Sequence, residues 1–159
     1  SPPNFGWNTT TYAAQSAGDK TRGIQFLVST AGFQAITVSF DTRHSNTAAN
    51  TIVLQYTSDG STWTDAATFT ASAGDTWFNG RSADLSSIAA ADDNASFGIR
   101  LVAAFTPAGG YAASNPASNY AASGTLRYDM VTISGRVIPE PATVGLLAGA
   151  GVLALRRRA

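Results

Sequence analysis

The chain has 159 residues, no cysteine, and ten basic against ten acidic residues, so its formal net charge is zero. The absence of cysteine excludes a disulfide framework, a thiolate zinc site and a cysteine nucleophile, and the absence of a basic stripe argues against nucleic-acid binding. The length suits one domain followed by a tail. The composition favours strands over long helices, because it is rich in Thr, Ser, Ala and Gly and includes a single Lys and a single Glu.

Short segments with alternating apolar residues or β-branched enrichment predict a series of β-strands. In segment 35–43, for example, Ile36, Val38 and Phe40 share one face, and polar residues occupy the other. In chain order the predicted strands cover residues 23–29, 35–43, 51–58, 62–69, 77–83, 97–105 and 125–135.

The segments between these strands carry turn and loop signals. The sequence Asp-Gly-Ser at 59–61 predicts the reverse turn of a hairpin. Residues 84–94 are expected to hold a short helical turn, and residues 106–124 form a long polar connection without periodicity, a kind of loop that is usually functional or disordered. Within the last strand the apolar phase changes between Met130 and Val131, which predicts a bulge.

Six to eight short antiparallel strands, each with one apolar and one polar face, predict an all-β fold in which two sheets pack as a β-sandwich of jelly-roll type. An all-β barrel is the alternative. We assign residues 1–136 to this β-sandwich, which its composition, poor in Glu and Lys and rich in Thr, Ser, Ala and Gly, predicts to be an extracellular domain, and residues 137–159 to a separate C-terminal signal.

The C-terminal sequence VIPEPATVGLLAGAGVLALRRRA, from Val137 to Ala159, is unlike the rest of the chain. Residues 142–155 are uncharged and are predicted to form a transmembrane helix, but as a helix they would span only roughly 21 Å against about 30 Å of hydrocarbon core. The arginines that follow would stay on the cytoplasmic side, which places the domain across the membrane. An ordinary membrane anchor and a buried core helix are the alternatives, although a core helix would normally have a polar face.

The tail resembles the PEP-CTERM sorting signal of diderm bacteria in three parts that occur in order. These parts are the Pro-Glu-Pro step, the short apolar segment and the terminal arginine cluster, and the residues that carry the signal are Pro139, Glu140, Pro141, Arg156, Arg157 and Arg158. The resemblance implies export across the inner membrane, a transient membrane anchor, processing by exosortase, and delivery to the cell surface or the exopolysaccharide matrix. If so, a signal peptide would lie upstream of Ser1.

A second resemblance covers parts of the body. Residues 40–64, 97–107 and 127–135 are similar to the β-rich bodies of many uncharacterised PEP-CTERM proteins. That group implies no activity, and no motif of a hydrolase, a nucleotide-binding protein or a zinc protease occurs in the chain. We therefore expect no catalytic residues and no enzyme activity.

Histidine and aspartate are the titratable residues of the body that could carry chemistry. His44, the single histidine, is interpreted as a structural, hydrogen-bonded residue at a strand end rather than as a general base. Paired carboxylates of a glycosidase are not evident, because Asp92 and Asp93 are adjacent in a loop. No cofactor is expected apart from a structural calcium ion, for which Asp41 and Asp129 are the candidate ligands; a plain strand-edge hydrogen bond is the alternative role of these residues.

Aromatic residues offer candidate sugar-binding platforms, since an aromatic face can stack on the C-H groups of a pyranose. The candidates are Trp63, Trp77, Tyr111 and Tyr120. Core packing is the expected role for the tryptophans, and it is less expected for the two tyrosines because they lie in the polar connection.

Three functions are consistent with the sequence. The first is a non-enzymatic surface or biofilm-matrix protein, the second is a carbohydrate-binding module for the matrix polysaccharide, and the third is an accessory domain of a secreted hydrolase.

Overall fold

The computed structural model describes residues 6–140 of the chain. These residues form an all-β body with one short 3-10 helix, Ala89–Ala91. The strands are β1 (Trp7–Thr9), β2 (Gly23–Leu27), β3 (Phe33–His44), β4 (Thr51–Thr57), β5 (Thr64–Thr70), β6 (Thr76–Asp84), β7 (Gly98–Ala103) and β8 (Leu126–Val137). The all-β prediction is confirmed, and each of the seven predicted strands is present within a few residues of its predicted bounds.

The eight strands form two four-stranded antiparallel sheets. The first sheet has the order β1-β8-β3-β6 and the second has the order β2-β7-β4-β5. β1 was not predicted, because three residues are too few to show an alternation pattern; it pairs with β8 through Trp7 opposite Tyr128 and Thr9 opposite Leu126.

The inward faces of both sheets contribute to one hydrophobic core. Ile36, Val38 and Phe40 of the first sheet are buried, as their alternation predicts, and they belong to the same cluster as Leu54 and Leu101 of the second sheet. Alternation places these side chains on one side of each strand, so burial of that side fixes the register of the sheets.

The prediction that each strand has one apolar and one polar face does not hold for the centre of the second sheet, where apolar side chains lie on the outer side as well. On the outer side of β4 and β7, Val53 and Val102 are only 3% exposed, and Gln55 is 5% exposed. Polar side chains cover this face: Gln55 donates to the Asp65 carboxylate, and Arg100 donates to the Gln55 amide oxygen. A strand that is buried on both sides has a continuous run of apolar residues in its sequence rather than an alternating pattern of apolar and polar residues.

The predicted local irregularities are confirmed. Asp59 accepts hydrogen bonds from the backbone N-H groups of Ser61 and Thr62, which closes the hairpin turn between β4 and β5. The bulge in β8 falls at Met130, which has a φ of +50° and an exposed side chain, while Val131 packs against the core. The helical turn expected within 84–94 is the 3-10 helix.

The connections between the strands lie at two opposite ends of the body. At the loop end lie the connections 10–22, 45–50, 71–75 and 104–125. At the opposite exit end lie 28–32, 58–63 and 85–97, together with the last described residues, because β8 runs from the loop end to the exit end. No helix within residues 6–140 is long and apolar enough to cross a bilayer; the transmembrane helix predicted over 142–155 lies outside the described residues.

Candidate functional site: the loop pocket and the chain exit

A pocket of about 550 Å³ opens at the loop end, beneath the long connection 106–124. We call it the loop pocket. Its lining includes both candidate tyrosines and several neutral polar side chains, namely Gln15, Asn50, Tyr111, Ser118, Asn119 and Tyr120. Mixed aromatic and neutral polar lining suits an uncharged, hydroxylated ligand.

The two tyrosines form the wall of this pocket. Tyr111 and Tyr120 stack with their ring centroids 4.6 Å apart and their planes 23° apart. The Tyr120 hydroxyl donates to the Ala13 carbonyl at 2.6 Å, and the Tyr111 hydroxyl donates to the Gly18 carbonyl at 2.8 Å. Burial raises the pKa of Tyr120 to about 12 and also raises that of Tyr111, so both hydroxyls stay protonated donors at neutral pH.

Tyr111 packs in the core, a role that was less expected for a residue of the polar connection. Tyr111 is 4% exposed, belongs to the hydrophobic core, and meets the ring of Phe105 edge to face. Its hydroxyl finds a backbone carbonyl, which allows a tyrosine in a polar, aperiodic segment to be buried without an unsatisfied group. Tyr120 is half-buried and packs against the same core.

The long connection is tied down by backbone hydrogen bonds to connection 45–50. Asn50 N-H donates to the Ala112 carbonyl, Ser114 N-H donates to the Ala48 carbonyl, and Ala121 N-H donates to the Thr47 carbonyl. These bonds hold the loop pocket in a defined shape. A preformed pocket needs less ordering when a ligand binds.

The two candidate tryptophans lie elsewhere. Trp63 is half-buried on the outer side of the second sheet, where the Arg100 guanidinium lies 4.6 Å from its ring centroid. Trp77 is half-buried on the first sheet, opposite Arg43 of β3. The structure therefore brings two of the four candidate aromatics together, and the four do not form one platform. Their binding of sugar stays a prediction.

His44 is the last residue of β3 and is fully buried. Its Nδ1 lies 2.9 Å from the Ala49 carbonyl oxygen, which identifies Nδ1 as the protonated nitrogen, and the Ser114 hydroxyl lies 3.1 Å from it. Burial lowers the pKa of His44 to about 4, so the ring is neutral at physiological pH. This geometry agrees with the structural role expected for His44.

Asp41 and Asp129, the candidate calcium ligands, are directly paired across β3 and β8. Asp41 accepts a hydrogen bond from Gly80 N-H at 2.7 Å, and Asp129 accepts one from Met130 N-H at 2.8 Å. Calcium takes six to eight oxygen ligands, and within residues 6–140 there is no group of three His, Cys, Asp or Glu side chains that could hold a metal ion. A calcium site here stays a prediction.

The chain leaves the body at the exit end. Ile138 N-H donates to the Gly32 carbonyl at 2.8 Å, after which Pro139 and Glu140 are exposed. The remaining residues of the predicted sorting signal, Pro141 and the three arginines 156–158, lie outside the described residues.

The sequence patterns did not predict two features, one in the loop pocket and one outside it. Gln15 and Asn50 line the loop pocket although they are distant in sequence from residues 106–124, and only the strand topology brings them there. Trp7 is 60% exposed and meets Phe26 edge to face. Its position at the start of a three-residue strand gave no periodicity from which its exposure could be predicted.

Comparison with known protein families gives one finding. The family model described as the PEP-CTERM protein-sorting motif matches residues 137–158. No curated protein and no solved structure matches the chain. The match begins at the last residue of β8 and covers the tail that follows the exit. The chain is therefore a protein with a C-terminal PEP-CTERM sorting motif, which indicates exosortase-dependent sorting of an exported surface protein.

Proposed function

We propose that the protein is a non-enzymatic component of the surface or of the biofilm and exopolysaccharide matrix of a diderm bacterium. It crosses the inner membrane, is held there by its tail, and is then processed by exosortase and delivered outside the cell. The observation that carries this proposal is the sorting motif at 137–158, immediately after the body ends.

The tail has the physical properties of a temporary anchor. Its uncharged segment 142–155 is rich in Gly and Ala, which makes insertion only weakly favourable, and the arginine cluster stops transfer across the membrane. Pro141 favours an extended conformation at Glu140, since a proline disfavours the helical conformation of the residue before it, and Pro139 has the same effect on Ile138. A stiff Pro-Glu-Pro segment that lies outside the bilayer would be accessible to a processing enzyme.

We further propose that the body is a jelly-roll β-sandwich. The strand orders β1-β8-β3-β6 and β2-β7-β4-β5 support this proposal, because eight strands wound as two Greek keys give such a division between two sheets. The shared core of the two sheets also supports it. This topology displays the loop pocket at the end opposite the chain exit.

Sorting can be tested by cell fractionation in a host that expresses exosortase. A variant with Pro139→Ala, Glu140→Gln and Pro141→Ala should accumulate in the inner membrane, whereas the unaltered protein should reach the surface. Pro116→Ala is the matched control, because Pro116 is an exposed proline of the loop end. Equal surface delivery of the triple variant would refute the proposal that this step directs sorting.

Binding of the matrix polysaccharide is the second candidate function, and the loop pocket is the observation that favours it. Its volume of about 550 Å³ accommodates one or two sugar rings, and its amide and hydroxyl groups can pair with sugar hydroxyls. Because β8 extends over twelve residues, roughly 40 Å separate this pocket from the exit. The pocket would thus face away from a membrane that holds the tail.

The binding experiment uses variants that leave the fold intact. Asn119 is exposed at the rim of the loop pocket, so Asn119→Ala removes a polar contact without disturbing the core. Asn79→Ala, at an exposed position of β6, is the control. We expect the affinity for purified matrix polysaccharide to fall for Asn119→Ala alone. No binding by the unaltered protein, or equal losses in both variants, would refute this second function.

A further inference from the structure

An apolar surface lies at the exit end of the body. Its four large side chains are all exposed: Leu27 by 60%, Val28 by 39%, Phe33 by 42% and Val137 by 63%. We call these residues the exit patch. Contiguous exposed apolar residues of this kind mark interaction surfaces more often than isolated ones do.

The exit patch is continuous because three strand ends meet there. Phe33, the first residue of β3, pairs with Val137, the last residue of β8. A groove of about 120 Å³ runs between Phe33 and Val28, and Val28 also borders the depression beside Leu27. Gly135 forms part of the groove, where a Cβ would lie only 2.8 Å from the Ile36 side chain.

The route of the chain places this surface close to the uncharged tail. Ile138 is hydrogen-bonded to Gly32 within the exit end, and the uncharged segment begins at residue 142. Four residues of extended chain span at most about 14 Å. If segment 142–155 enters a bilayer, the exit patch must therefore lie within about this distance of the membrane surface.

We propose that the exit patch rests on the bilayer interface while the tail is inserted, so that the body docks on the membrane by its exit end. This inference depends on the proposed insertion of the tail. Docking would bury the four apolar side chains at the headgroup boundary, where apolar area is the main source of affinity. It would also hold the Pro-Glu-Pro step at a fixed depth and orientation for the processing enzyme.

The charges at the exit end indicate that this contact is apolar rather than electrostatic. Beside the exit patch the exposed cation Arg136 is outnumbered by aspartates, so this end offers no polybasic surface to anionic lipid. Several of the aspartates are engaged with the backbone: Asp93 accepts from Gly32 N-H, Asp92 from Ala35 N-H, and Asp59 from Ser61 N-H. Binding to anionic vesicles should consequently not weaken when salt is added, in contrast to a polybasic surface.

The experiment uses the full chain reconstituted into phosphatidylcholine vesicles. Since the chain has no cysteine, Leu27→Cys and Phe33→Cys each provide a single attachment point for an environment-sensitive fluorophore. Ser72→Cys and Ala117→Cys are matched controls at exposed positions of the loop end. A fifth variant, Leu147→Cys, reports on insertion of the tail itself. Quenching by lipids that carry a nitroxide on the acyl chain then measures contact with the bilayer.

We expect quenching and a blue-shifted emission at positions 27, 33 and 147, and neither change at positions 72 and 117. Quenching at 147 without quenching at 27 and 33 would overturn the docking inference and leave tail insertion intact. Absence of quenching at 147 would overturn both.

Other occupants of the exit patch give different signals. A blue shift at position 27 in detergent that depends on protein concentration would indicate a second copy of the chain. A blue shift that is independent of concentration and is lost on removal of residues 142–159 would indicate the tail itself. Either result would overturn docking on the membrane.

Discussion

Asp41 and Asp129 lie directly opposite each other on β3 and β8, and two residues further along the same face Arg43 lies directly opposite Arg127. Each pair alone brings like charges together, which destabilises an antiparallel sheet. The aspartates and the arginines form successive cross-strand pairs, and Arg43 makes its ion pair outside this cluster, with the Asp75 carboxylate at 3.2 Å. The sheet surface therefore carries opposite charges in adjacent rows.

Asp129→Asn should stabilise the protein by about 0.5 kcal/mol, because it removes the direct repulsion and keeps the oxygen that accepts from Met130 N-H. Asp41→Asn should act in the same direction, and the double variant should gain less than the sum, since the repulsion can be removed only once. Urea unfolding in EDTA and in calcium measures these effects. Destabilisation by Asp129→Asn in calcium alone would instead indicate a bound ion between the carboxylates.

His44 predicts a pH dependence of stability. Its pKa of about 4 in the folded protein lies below the ordinary value of 6.5, so the unfolded chain binds more protons between these two values. Stability should thus be full above pH 6.5, fall as the pH drops toward 4, and lose at most about 3 kcal/mol from this residue.

The measurement for His44 is the free energy of unfolding from pH 4.5 to 7.5. His44→Gln lacks the titrating group, and its stability should be lower overall but nearly independent of pH between 5 and 6.5. A slope as steep as that of the unaltered protein would show that another group causes the dependence.

The tyrosine hydroxyls of the loop pocket are expected to hold the long connection in place. Tyr120→Phe deletes the bond to the Ala13 carbonyl and should cost about 1 kcal/mol. Hydrogen exchange should increase in residues 106–124, while β4 and β7 stay protected. Tyr111→Ala should cost about 3 kcal/mol or more, because it removes a buried ring from the core. Unchanged exchange in Tyr120→Phe would contradict this role.

The bulge at Met130 offers a backbone test. Met130 has a φ of +50°, which glycine adopts without strain, and its side chain is 69% exposed. Met130→Gly should therefore change stability by less than about 0.5 kcal/mol, whereas Ser134→Gly at an exposed position of the same strand should cost about 1 kcal/mol. Thermal unfolding distinguishes the two variants. Equal losses would show that the positive φ carries no strain.

A structural feature could be predicted from the sequence where it depends on residues that are close together in the chain, and could not where it depends on distant ones. The alternation of Ile36, Val38 and Phe40 depends on one strand and one core, so it predicted both the strand and its buried face. The burial of Tyr111 depends on a carbonyl at Gly18, far away along the chain, so no local pattern could indicate it. The same reason explains why the covered outer face around Gln55 was missed.

The sorting motif was predictable because its parts are consecutive. Its stiff step, apolar segment and arginine cluster each act through local composition and order, and the family match at 137–158 agrees with the resemblance found in the sequence. The loop pocket, by contrast, joins Gln15 and Asn50 with residues of another connection. Its members could be assembled only by the strand order.

The most direct test of the sorting account is the C-terminal mass of the protein recovered from the surface of a host that expresses exosortase. Mass spectrometry of the intact protein should show that residues of the tail, including Arg156, Arg157 and Arg158, have been removed. In a host without exosortase, the same protein should remain in the inner membrane with its tail intact. Surface-exposed protein that still ends in Arg158-Ala159 would contradict the account.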